Sequence, residues 1–250
     1  MKKVTARVIL MLAILTFLAG CGSKVERDIT GSWDNDRSIA SGSSTDKGSE
    51  DKKAGSDSKN DNGLYSFMAQ VIENSSSLLV SPTPDSSEIK SSDRIIVSVA
   101  DDAIKGLDGS MIKRQELKPG DLVRISYDGG IRESYPAQLS ASLVELTGRN
   151  IVIDAYIALI DDIYNEDPGL NEGITIMALN TLGWNDVRDI DKEIIFSLLK
   201  ESYGLEIIEG TFVELAEQGL IDKDELYFEK GILIAISNFK YNEKDKKIKG

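Results

Sequence analysis

The spacing of apolar residues changes character at Asn150, and this change constrains the fold more than any other feature of the chain. From Leu64 to Thr147 the apolar residues come in short runs, alternating or rich in β-branched types. Such runs place one face of a strand in a core. Strands are predicted over Tyr65 to Glu73, Ser77 to Ser81, Arg94 to Ala100, Leu122 to Tyr127 and Gln138 to Leu146. Pro82, Pro84, Asp108-Gly109, Pro119-Gly120 and Asp128-Gly129-Gly130 punctuate them, through a fixed φ or tolerance of positive φ. Strands this short and this closely spaced predict a small closed or nearly closed barrel, because closure removes the edges a flat sheet would expose.

Beyond Asn150 the period becomes helical. Ile153, Tyr156, Ile157, Ile160, Ile163 and Tyr164 form one apolar stripe that stops before Asp167-Pro168-Gly169. A strand is predicted over Ile174 to Leu179, a second helix from Ile190 to Tyr203 with Gly204 as its stop, and a short strand over Leu205 to Ile208. Thr211-Phe212-Val213-Glu214 is a capping box that starts a third helix, ended by Gly219. Leu226 to Glu229 and Gly231 to Asn238 are predicted to pair as a hairpin around Glu229-Lys230-Gly231. The whole is α+β, with a barrel over 63–148, an α+β domain over 149–241 and a frayed basic tail over 242–250.

The N-terminus reads as an export signal. Lys2, Lys3 and Arg7 precede an apolar run from Val8 to Phe17, and Leu18-Ala19-Gly20-Cys21 follows at once. The run is too short to cross roughly 30 Å of hydrocarbon as a helix, which takes about 20 residues. Residues 1–20 are therefore expected to be a cleaved signal peptide. Leu18, Ala19, Gly20 and Cys21 resemble the bacterial lipobox, which implies that Cys21 becomes a lipidated N-terminus. Lipid chains contribute about 0.8 kcal/mol per buried methylene, enough for two or more to hold a protein on a membrane. The expected location is the outer face of the cell membrane. Residues 21–62 are Ser, Asp, Gly, Lys and Asn with almost no apolar side chain, and are expected to be a disordered tether spanning roughly 35 Å.

Two motifs carry a further resemblance. Leu117-Lys118-Pro119-Gly120-Asp121-Leu122-Val123, followed by Tyr127-Asp128-Gly129-Gly130-Ile131 and Glu133-Ser134-Tyr135-Pro136-Ala137-Gln138, resembles DUF3221, a Gram-positive family of small secreted OB-fold-like domains of unknown function. The resemblance implies an OB-like barrel. It brings no catalytic residues with it.

Composition removes several chemistries. The chain has no histidine and one cysteine, so it cannot build a Cys/His zinc site, a Ser-His-Asp triad or an internal disulfide. Removal of residues 1–20 takes away three of the 29 Lys+Arg and none of the 42 Asp+Glu, moving the formal charge from −13 to −16. Three helices and a terminal hairpin are also the order of a winged helix. However, Asn150 to Tyr241 holds 6 Lys+Arg against 19 Asp+Glu, the wrong sign for a phosphate-binding face. Residues 64–147 carry 8 against 12, with few aromatic residues to stack on bases, so nucleic acid is not an expected partner of the barrel either.

Asp161, Asp162, Asn165 and Asp167 supply oxygen ligands of the kind Ca²⁺ uses, yet Tyr164 breaks the EF-hand spacing and no bidentate Glu follows, so no metal or cofactor is expected. In a chain this acidic, carboxylate pairs are inevitable, and no single pair is marked as catalytic. The loop Glu133-Ser134-Tyr135-Pro136 is the candidate contact surface; its alternative is a rigid strand connection with Tyr135 packed under Pro136. The resulting expectation is a non-enzymatic binding or interaction module, held to the membrane by lipid and engaging an envelope protein or small ligand. The alternative is an envelope hydrolase that works through carboxylates.

Overall fold

The computed structural model describes residues 63–236, 240–242 and 247–249. The expected signal peptide, the lipobox with Cys21 and the tether lie outside the described residues.

Six strands make the first lobe: β1 (Tyr65–Asn74), β2 (Leu78–Pro82), β3 (Ile95–Ser98), β4 (Ile104–Lys105), β5 (Asp121–Arg132) and β6 (Ala137–Arg149). β1 lies antiparallel between β2 and β5, β2 pairs with β3, and β5 pairs with β6. β3 then runs parallel to β6, which closes five strands into a barrel, consistent with an OB-like fold. The two-residue β4 extends the far end beside Val144 and Glu145. Phe67, Ala69 and Val71 alternate into the barrel and meet Val123, Ile125, Ile95, Val97 and Leu139. β5 and β6 are longer than predicted. Asp128-Gly129-Gly130 is an irregularity within β5 and not its turn; the register slips between Tyr127 and Ile131, and the chain reverses at 133–136.

The second lobe follows without a spacer. It comprises α1 (Ile151–Asn165), β7 (Ile176–Asn180), α2 (Asp189–Tyr203), β8 (Glu206–Glu209), α3 (Phe212–Glu217), β9 (Ile221–Asp222), β10 (Tyr227–Phe228) and β11 (Gly231–Ala235). Asn150 caps α1 by accepting from the Val152 N–H at 3.1 Å, Gly204 ends α2 with φ 66°, and Thr211 and Glu214 form the predicted capping box. β7 lies between β8 and β11, parallel to both. Met177 and Leu179 face the core shared with α1 and α2, while Ala178 faces Leu215, Ile221, Phe228 and Leu233 on the other side.

The predicted terminal hairpin is therefore overturned, and the winged-helix order with it. β10 pairs with β9, and β11 joins β7 in parallel. The reason is burial on both faces: Ile232 and Ile234 join one core and Leu233 the other, the continuous apolar pattern of a covered parallel strand. The lysine-rich end, expected to fray, carries β12 (Lys240–Asn242) and β13 (Lys247–Lys249) as an antiparallel pair. Among the described residues no helix is long and apolar enough to cross a membrane.

The outward face of β1 divides the work of the barrel surface. Ser66 and Met68 line an open cleft, whereas Gln70 and Ile72 lie under the second lobe. A register shift between Val71 and Glu73 marks a bulge at Ile72, whose side chain is buried in the core of α1 and α2. Gln70, fully buried, donates from Nε2 to Asp191 Oδ1 at 2.8 Å, and its Oε1 accepts from Asn150 Nδ2 and an Arg188 Nη, both at 2.9 Å. Arg188 also grips both Asp191 oxygens, at 2.8 and 2.9 Å. At the barrel exit, Arg149 Nε contacts both oxygens of Asp154 at 2.8 Å, and its Nη1 reaches the Pro119 carbonyl at 3.0 Å and Asp121 at 3.1 Å.

Candidate functional site

A single 3-10 turn, Ser87–Lys90, follows the proline-rich end of β2 and lays Glu88 against the barrel. The Glu88 side chain is buried: Oε1 accepts from the Tyr127 hydroxyl at 2.9 Å, and Oε2 from Ser87 Oγ at 3.0 Å. Tyr127 comes from β5, 39 residues away, and packs edge-on against Phe67 with ring centroids 5.6 Å apart. Burying a carboxylate is costly unless donors satisfy it, and this pair of hydroxyls does so.

Two open clefts meet at Ser87 and Glu88. One, of about 400 Å³, runs over Ser66, Met68, Thr83, Asp85, Ser86 and Arg124. The other, of about 530 Å³, runs over Tyr65, Ser91, Tyr127, Asp128 and Gly129. Together they form a trough rich in hydroxyls and carboxylates with one guanidinium. Arg124 is exposed and its guanidinium has no hydrogen bond or ion pair among the described residues, whereas Ser86 is fixed by donating to the Met68 carbonyl at 2.8 Å. The lining offers both donors and acceptors, drawn from β1, β5 and the segment that follows β2.

The predicted contact loop is the β5–β6 turn. Ser134 Oγ donates to the Pro136 carbonyl at 2.7 Å, and Tyr135 is 72% exposed, so its ring is presented to solvent and not packed under Pro136. Tyr135 is an electrostatic neighbour of Arg94, which forms a bidentate pair with Glu193 of α2. That pair raises the Arg94 guanidinium and holds the Glu193 carboxyl below the usual carboxylate range, in each case chiefly through the hydrogen bond to the other.

The oxygen-rich stretch serves local structure. Asp161 accepts from the Tyr203 hydroxyl, Asn165 donates to the Asp161 carbonyl at 2.8 Å, and Asp167 caps the Gly169 N–H at 3.1 Å. Burial, then the hydrogen bond to Asp161, drives the Tyr203 phenol well above its ordinary value. Asp162 also lies on α1, and the described residues gather no group of three or more His, Cys, Asp or Glu that could hold a metal ion. Sequence reasoning did not find Glu88, Tyr127 and Arg124. A glutamate in a serine-rich turn carries no local signal that a tyrosine far along the chain will meet it.

The fold and its trough define a closed β-barrel module joined to a small α+β lobe. Within it, residues 67–147 match the model of a family described as a protein of unknown function, DUF3221. The match lies within the barrel lobe, so it likens that part of the chain to this family. No curated protein and no solved structure matches the chain.

Proposed function

We propose that this protein is an exported lipoprotein, held at the outer face of the cell membrane through Cys21, which presents the barrel as a non-enzymatic binding module. The observation that carries the binding reading is the trough meeting at Glu88, with exposed Arg124 and Asp85 beside a line of fixed hydroxyls. The anchor rests on Leu18-Ala19-Gly20-Cys21 behind a signal-like run, and the 21–62 segment would set the barrel clear of the headgroups. The partner is an envelope protein or a small hydroxyl-rich ligand. OB-like barrels bind oligosaccharides as well as oligonucleotides across one strand face, and the acidic surface here disfavours the latter.

The test is affinity capture from crosslinked intact cells, comparing the native protein with Cys21→Ala and with an Arg124→Ala/Asp85→Asn double variant. Metabolic labelling with an alkynyl fatty acid should mark the native chain and spare Cys21→Ala. A partner retained by the native protein and lost in the double variant supports the trough; one retained by both overturns it. Unchanged membrane fractionation of Cys21→Ala overturns the anchor.

A second reading has one observation in its favour: Asp85 and Glu88 line the same cleft, as a carboxylate hydrolase would require. New reducing ends released from purified envelope glycan, and abolished by Asp85→Asn, would select it. Glycan left intact by the native protein removes it.

A further inference from the structure

The second lobe carries a cleft that the binding reading above does not use. It has a volume of about 420 Å³ and lies between α3 and the turn joining β9 to β10. Phe212, Val213, Ala216 and Ile221 line its apolar part; Glu217, Asp222 and Asp224 line the rest beside one cation, Lys223, so the lining is net acidic. Val213 is 61% exposed, and Leu226 at the end of the same turn is 51% exposed. A single exposed apolar residue is ordinary, but Val213 stands on the wall of a concave, partly apolar surface, where another apolar side chain can rest against it.

The walls of this cleft are already set. Asp222 accepts from the N–H groups of Asp224 and Glu225 at 2.9 and 3.0 Å, which fixes the turn and lowers the Asp222 carboxyl. Glu214 caps the start of α3, and Leu215 beneath it is fully buried. A preformed site spares a ligand the cost of ordering it. Charge then selects the ligand: between Glu206 and Glu229 the chain carries eight Asp and Glu against a single lysine.

We infer that this cleft docks a basic amphipathic segment of a partner protein. Its apolar side chains rest on Val213 and Ala216, and its Lys and Arg side chains face Glu217 and Asp224. Acidic segments and anionic lipid surfaces are repelled by the same charges, so complementarity defines the partner's sign as well as its shape.

The experiment uses the full chain and a short synthetic helical peptide with Leu on one face and Lys on the other, followed by fluorescence anisotropy at low and physiological salt. A scrambled peptide of identical composition reports charge alone. The amphipathic peptide should bind at least about tenfold more tightly than the scrambled one, with an affinity that falls as salt rises. Val213→Ser should weaken binding about fivefold, and Glu217→Lys/Asp224→Lys about tenfold with a flatter salt dependence. Asp101→Lys, an exposed barrel position that lines none of the clefts described, should leave it unchanged, and circular dichroism checks that each variant is folded. Equal affinity for both peptides, or folded cleft variants that bind like the native protein, overturns the inference.

Discussion

Asp191 shows how much one side chain can hold. It is 3% exposed, yet its carboxylate collects Gln70 from the barrel, Asn150 from the start of α1 and Arg188 from the start of α2. Removal of one partner from such a cluster leaves the others desolvated and unpaired, which costs more than the cluster's own formation contributes. Arg188 keeps a third of its side chain in water and can recover part of the loss there. Asp191→Ala should therefore lower unfolding stability by about 2–4 kcal/mol, read by urea denaturation. Asp191→Asn, which keeps the shape and one acceptor, should cost less. A loss under about 1 kcal/mol for the alanine variant would mean that packing, not this network, joins the lobes. Nothing near position 70 or 191 announces the contact, because the residues are 121 apart and each is an ordinary polar residue within its own element.

At the scale of the element, local chemistry was the most legible. The apolar stripe of α1, the αL stop at Gly204 and the Thr211–Glu214 box all act within a turn of helix, so their residue types suffice to predict them. The failure at Glu229-Lys230-Gly231 has a different origin. A short apolar run reads equally as a hairpin arm and as a covered parallel strand, and only the burial of both faces of Gly231–Ala235 distinguishes them. Gly231 itself is required by close approach, since a Cβ there would lie 2.3 Å from the Phe228 ring. Gly231→Ala must displace a buried phenyl group and should cost about 1–3 kcal/mol in thermal or urea unfolding. At Gly148 a Cβ meets nothing within 4 Å, and Gly148→Ala should be close to neutral. Equal effects at the two positions would refute the role given to Phe228.

For the whole molecule, the question is how two lobes behave as one body. Ile72 enters the second core, the Asp191 network seals the seam, and Arg94 of the barrel clasps Glu193 of α2 at its edge. The last contact gives a pH signature. Because Arg94 depresses the Glu193 carboxyl, the pair's contribution is present above the unfolded value of about 4.3 and is lost as pH falls through the lower folded value. Glu193 is 46% exposed, so the contribution at neutral pH should be under about 1 kcal/mol and should shrink with salt. The stability difference between native protein and Glu193→Gln should therefore shrink as pH falls below the unfolded value and vanish once pH lies below the depressed folded value, measured by urea titrations across pH. A difference that persists there would show that Glu193 acts through packing and not charge.

Read alone, the sequence was enough for the fold class, the types of most elements and several helix ends. All of these depend on residues within a few positions of one another. The parallel closure of β3 on β6, the place of β11 beside β7, the Glu88–Tyr127 contact and the buried Gln70–Asp191 seam required the folded chain. Each joins distant segments, and which segments meet is settled by the surfaces they bury together, a quantity that no local stretch of residues contains.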